Sequence, residues 1–207
     1  MLKAKNKKTP LHQVEWKSRD MTYYEGILAT KGVWHNFAAI GAEIVESKIG
    51  GKVYLPSDTA DRLEEGKRFT FSLADEPELF FKAALTGNNR SDYCELKTSG
   101  YEVDGEFVYP KRATKIYFCK IKKTKLIEQE DEYGEAEIKL FEAEIIRKEG
   151  ELEYISREEP HVDAMVHASR FNIAEKEPKK KIQNQVESIL SDVQTDLKKK
   201  ILEYIQG

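Results

Sequence analysis

Two hydrophobic rhythms divide the chain. Through most of its length apolar and polar residues alternate in short runs; in RFTFSLA (68–74), Phe69, Phe71 and Leu73 share one side, the mark of a half-buried strand. The same reading predicts strands over 21–31, 34–46, 52–55, 115–127 and 136–148. Ile49-Gly50-Gly51 reads as the hairpin turn into 52–55, because glycine supplies the positive φ that tight turns demand. Beyond Pro178 the rhythm changes to steps of three and four: Ile182, Val186, Ile189, Leu190, Val193, Leu197, Ile201 and Ile205 form one stripe on a single long helix. Shorter helices are predicted at 59–66, closed by Gly66, after Pro77, and at 159–172, entered through Pro160.

Several strands joined by short turns, without regular strand–helix alternation, indicate an antiparallel sheet or barrel. The expected plan is α+β and mainly β: an arm over 1–20, a β body over 21–155, and a helical region over 156–207. A stripe as long as Ile182–Ile205 must be buried against the body, the preceding helix or a partner chain.

Composition narrows the classes. The chain has 207 residues, a net charge of −3 and two cysteines, Cys94 and Cys119. No run approaches the ~20 apolar residues of a membrane span, and the basic N-terminus lacks the apolar core of a secretory signal. With no cysteine framework, a cytoplasmic location is expected. Thirteen acids against four bases over 126–159 oppose a nucleic-acid face there, and the lysine runs read as solvated helix surface.

Candidate chemistry is sparse. There is no phosphate loop, dinucleotide fingerprint, nucleophile elbow or metal motif, so catalytic residues stay unassigned and no metal is expected. His35 and His167 are possible proton donors, though a structural role is the simpler reading of each. The turn after Leu55, Pro56-Ser57-Asp58-Thr59, reads either as a helix cap or as an anion site. Asp163, His167 and Arg170 fall on one predicted helix face, where Arg170 would suit a phosphate. The stretch Asn36-Phe37-Ala38-Ala39-Ile40-Gly41 places small residues where a strand usually carries bulk. Taken alone it is equally a barrel corner or a surface for a flat ligand.

YYEGILATK, NFAAIG, LPSDT, FSLADEPELFFKAAL and VHASRF occur in an order and context that resemble a largely archaeal family of flavin-reductase-like proteins. These are related to pyridoxamine-phosphate-oxidase-like proteins, and the likeness covers about residues 22–174. It implies an FMN-binding split barrel of six strands, with FMN near the interface of a homodimer and helices after the barrel. Small residues at Ala38, Ala39 and Gly41 would then let the ring lie against the strand, with Asn36 and Ile40 beside it. Thr30, Lys31, Leu55 and Ser72 would also line the cofactor, Ser57, Thr59 and Arg170 would hold its phosphate, and His167 with Arg170 matches the family's His-Ala-Thr/Ser-Arg element at the cofactor. Two departures stand out: the family usually has Pro at Ala39 and Asn at Ser72. The implied function is flavin-dependent oxidation or reduction of an unknown small molecule. The alternatives are a non-catalytic flavin-binding or sensing module and a deazaflavin-binding relative. A homodimer is expected too because an open barrel leaves strand edges to cover.

Overall fold

A computed structural model describes residues 22–86, 96–131, 133–171, 174 and 176–206. The arm expected at 1–20 and Cys94 lie outside them. The body is built from β1 (Thr22–Thr30), β2 (Asn36–Val45), β3 (Lys48–Tyr54), β4 (Arg68–Leu73), β7 (Lys115–Asp131) and β8 (Gly134–Gly150). All neighbours are antiparallel, and the order β1-β2-β3-β8-β7-β4 returns to β1, closing a barrel. A hairpin of β5 (Tyr101–Asp104) and β6 (Phe107–Pro110) lies outside it.

Alternation decides what each face does. Leu28, Phe69, Phe71, Leu73, Phe141 and Ala143 fill the lumen. The opposite faces of β1 and β2 present Ile27, Ala29 and Phe37 to a second apolar layer. That layer is covered by α2 (Pro77–Leu85), α3 (Pro160–Ala168), α4 (Lys176–Ile189) and α5 (Asp196–Gln206). Pro77 and Pro160 each sit in a helix's first turn, as expected. The fold is the six-stranded split barrel with C-terminal helices anticipated from the sequence.

Three expectations are corrected. The stripe from Ile182 to Ile205 does not lie on one helix: the chain turns between α4 and α5, and Thr195 Oγ1 accepts a hydrogen bond from Lys198 N (3.1 Å) to start α5. The stripe is therefore buried inside its own chain, with Ile182, Val186, Leu190, Ile201 and Ile205 all in the outer layer. It leaves no need for a partner there, and the barrel closes on itself, though parts of β2 and β7 keep a strand on one side only among the described residues.

The third correction concerns Gly50 and Gly51, which lie inside β3; the turn is at Glu46–Ser47, where Glu46 has φ 52°. Gly51 is needed for close approach. A Cβ there would sit 2.9 Å from Phe141 Cε1 and 3.0 Å from the Gly41 carbonyl oxygen. Gly66, expected to close α1 (Asp58–Arg62), likewise lies beyond the helix, in the turn before β4.

Gly51→Ala is expected to destabilise the fold by about 1–3 kcal/mol through overpacking. That lowers the thermal midpoint by roughly 2–4 °C per kcal/mol for a chain of this size. An unchanged or raised midpoint by calorimetry would show that the strand tolerates a side chain here.

Candidate functional site

The barrel is closed at one end and split at the other. β2 pairs with β3 only from Ala42–Val45 to Lys48–Gly51. Beyond that, Asn36–Gly41 keep β1 as their partner while Lys52–Tyr54 continue along β8. Ala38, Ala39, Ile40 and Gly41 are accordingly half-buried, between buried residues at either end of β2. A strand with one unpaired edge and short side chains offers both main-chain groups and a flat surface to a ligand.

Helix α1 (Asp58–Arg62) wedges the split open. Its Thr59 and Ala60 are buried, and Lys139 Nζ donates to the Ala60 carbonyl (2.5 Å). Asn36 Nδ2 donates to Thr59 Oγ1 (2.9 Å), tying β2 to the helix. Thr30, the cross-strand neighbour of Asn36, is 4% exposed, and its hydroxyl has no hydrogen-bond partner. Ser57 is the helix cap: it accepts from Ala60 N (3.2 Å) and donates to the Tyr54 carbonyl (2.8 Å). At the same end of β3, the Arg170 guanidinium lies 3.8 Å over the Tyr54 ring.

The structure therefore gathers Thr30, Asn36 and Thr59 at one end of the split, and Ser57 and Arg170 near Tyr54. Leu55, half-buried, follows Tyr54 and bonds through its N–H to Glu137. Ser72 lies across the outer face in a row with Ile27 and Ala39; it is 0% exposed and its hydroxyl too is unpartnered. Lys31 lies elsewhere, exposed and donating to the Gly105 carbonyl of the β5–β6 turn (2.6 Å). The space at Gly41 is taken by the Tyr23 phenol, against which a Cβ would collide.

His167 and Arg170 do not share a helix face, since α3 ends at Ala168 and Arg170 follows in a turn. His167 is buried in a ring of three polar groups. Gln185 Nε2 meets His167 Nε2 (3.1 Å), His167 Nδ1 meets the Tyr133 hydroxyl (2.5 Å), and that hydroxyl donates to Gln185 Oε1 (3.0 Å). The Asp163 carboxylate lies 3.6 Å from the same Nε2. The ring pins the tip of the β7–β8 hairpin to α3 and α4.

Sequence reasoning missed Glu25. It faces Gly41 across the β1–β2 ladder, is 6% exposed, and accepts a hydrogen bond from the Tyr23 hydroxyl (3.0 Å). Burial raises its pKa; the Tyr23 hydrogen bond and the Arg157 charge oppose that, and Asp163 adds to it. Arg157 in turn holds Asp163 (Nε–Oδ1 2.8 Å). The available signal was periodicity: Glu25 shares a strand face with Ile27 and Ala29, which the helices cover.

Residues 24–148 match the model of a family described as a protein of unknown function (DUF447), N-terminal domain. This is more than half of the chain, and the chain belongs to that family. No curated protein matches it. Among solved structures, an FMN-bound protein of the same family from Methanosarcina mazei has 22% identity and a TM-score of 0.60, over 89% of this chain and 93% of that one. An NADH:FAD oxidoreductase from Streptomyces globisporus has 13% identity and a TM-score of 0.50, over 63% and 77%. An FMN-binding protein from Thermus thermophilus, solved with p-hydroxybenzaldehyde, has 12% identity and a TM-score of 0.50, over 72% and 82%. At these identities the likeness is one of fold.

A carboxyl whose pKa is raised in the fold is protonated more readily there than in the unfolded chain. Its contribution is full at pH below the unfolded value and is lost as pH rises through the folded one. Glu25→Gln, which keeps an acceptor for Tyr23, is expected to match the parent near pH 4 and to melt higher than it at pH 7. A variant less stable than the parent at both pH values would mean that the charge is welcome where it lies.

Proposed function

We propose, with family membership as the premise, that this chain binds FMN in the split between β2 and β3 and acts as a flavin-dependent oxidoreductase on a small molecule still to be identified. The observation that carries this reading is the buried, unpartnered hydroxyl of Thr30, opposite Asn36 across the β1–β2 ladder and next to the half-buried Ala38–Gly41. A buried polar group left unsatisfied costs about 1–3 kcal/mol, so the Thr30 hydroxyl, beside Asn36 where it meets Thr59, favours a ligand with a polar rim. The residues fit a flavin nucleotide. Ala38 and Ala39 leave room for a flat ring, Asn36 is held in place by Thr59, and Arg170 brings a cation to the end of β3 where Ser57 begins α1. When bound, the flavin supplies one- and two-electron transfer. The chain's own residues orient it, match its phosphate charge and exclude water.

A non-catalytic flavin-binding or sensing module is the second reading, favoured by the positions of the histidines. His167 is committed to Tyr133 and Gln185. His35 packs edge-on against Tyr101 and accepts from Gly32 N (3.4 Å), with its pKa lowered by burial and then by Lys31 and Arg62. A deazaflavin would use the same split, and the absorbance spectrum of the purified protein tells it from FMN. A homodimer in the cytoplasm belongs to the same proposal. Among the described residues no helix is long and apolar enough to cross a membrane.

The protein is expected to purify yellow and to release FMN on denaturation, and bleaching under anaerobic NADH or NADPH would mark it as a reductase. Arg170→Ala should weaken FMN by roughly ten- to a hundred-fold, the loss of a charge-assisted bond worth about 1.5–3 kcal/mol. Riboflavin, which has no phosphate, should be barely affected. Thr59→Ala frees Asn36 and should weaken both ligands alike. Fluorescence titration checks each, and equal losses for the two ligands in Arg170→Ala would reduce Arg170 to a packing role. Colourless protein that takes up neither ligand would end the flavin reading.

A further inference from the structure

The turn between β1 and β2 gathers three nitrogen-bearing side chains beside the polar trio at the end of the split. Lys31 follows Thr30, His35 precedes Asn36, and Arg62 ends α1, the helix that carries Thr59. All three are anchored by main chain. Lys31 Nζ donates to the Gly105 carbonyl (2.6 Å), Arg62 Nη1 donates to the Trp34 carbonyl (2.6 Å), and Gly32 N donates to His35 Nδ1 (3.4 Å). Gly32 lets the guanidinium lie against the turn, since a Cβ there would stand 3.1 Å from Arg62 Nη1. Each anchor takes one donor from a lysine or an arginine that has several, and His35, accepting at Nδ1, carries its proton on Nε2.

No carboxylate balances this group. Among the described residues Lys31 and Arg62 meet only carbonyl oxygens, and the acids of the β5–β6 turn are engaged elsewhere, Asp104 with Arg147 and Glu106 with Arg68. Burial lowers the pKa of His35, then Lys31 and Arg62 lower it further, and no acid opposes them. On its remaining side His35 packs edge-on against Tyr101 of β5. Like charges held close together carry a cost that a bound anion offsets. The Thr30 hydroxyl, 4% exposed and unpartnered, lies at the same strand end.

We infer that the β1–β2 turn is an anion site, where Lys31, Arg62 and His35 take the phosphate or carboxylate group of a small molecule. A guanidinium pairs bidentately with either oxyanion, and the lysine adds a point charge. Arg170, the cation given above to the FMN phosphate, stands instead over Tyr54 of β3. In the flavin reading the turn therefore serves a second anionic group, and the small molecule oxidised or reduced is an anion. That choice of source rests on the flavin reading; the site itself rests on the turn.

The test follows the His35 imidazole protons of the full chain by NMR, identified by their loss in His35→Asn. Inorganic phosphate at millimolar concentration is expected to raise the His35 pKa, because a bound anion favours the charged imidazole. Sodium chloride at the same ionic strength should raise it less. Lys31→Gln and Arg62→Gln should each weaken phosphate roughly ten-fold, and Arg68→Gln, whose cation is already paired with Glu106, should not. A His35 titration that phosphate and chloride move alike, or an equal loss in Arg68→Gln, would overturn the site. Repeating the titration in FMN-loaded and riboflavin-loaded protein separates the sources. A phosphate response kept with both ligands supports a second molecule, whereas one abolished by FMN and kept with riboflavin makes the flavin's own phosphate the occupant and overturns the anionic substrate. Protein that takes up neither flavin overturns the flavin reading, and the phosphate response of His35 still judges the site.

Discussion

Strand β2 has two partners at Ala42, Glu43 and Ile44 and only β1 from Asn36 to Gly41, and the candidate site exists because of that change. Where β2 and β3 run together, Gly51 allows Phe141 and the Gly41 carbonyl to approach closely. Past that point the strands part, α1 fills the wedge, and Asn36 is fixed to Thr59 across it. A barrel paired along its whole length would bury Ala38–Gly41 and satisfy their main chain. The split gives up several ladder bonds, each worth about 0.5–1.5 kcal/mol, and leaves one edge of Asn36–Gly41 without a strand partner among the described residues.

The helices back the strands of the split from outside. They are bound to the barrel by one apolar layer running from Ile27 and Phe37 to Ile201 and Ile205. A polar ring of Tyr133, His167 and Gln185 locks the far end of the long hairpin to α3 and α4. Arg170, just after α3, is thereby held at Tyr54. An element that reads as an appendage in the sequence thus positions the cation at the end of β3.

Much of this was legible. Alternation located the six barrel strands, Pro77 and Pro160 marked helix starts, and the small residues of β2 stood out as a barrel corner or a surface for a flat ligand. What was missed depended on information that one strand or helix does not carry. Gly50 and Gly51 signal a turn as readily as a close approach, and only the position of Phe141 separates the two. The periodicity of Ile182–Ile205 continues through the bend before α5, so only the Thr195 cap betrays it. Glu25 becomes conspicuous once the register sets it beside Gly41, and Arg170 once the ring of Tyr54, more than a hundred positions earlier, is known to lie beneath it. Thr30 and Ser72 were anticipated as ligand contacts from the family resemblance; their lack of partners is visible only in three dimensions.

The ladder between β3 and β8 has a consequence for the order of assembly. β7 and β8 are joined by a tight turn and can zip locally, as can β1 with β2 and β2 with β3. Joining β3 to β8 brings Lys48 to Glu144, about a hundred positions apart, and such a closure waits on a large loss of chain entropy before any contact rewards it. Contact order alone thus favours local pairing within β1 to β3 and within β7 and β8 before the two are joined. The split between β2 and β3 borders the strand that this long-range pairing has to place.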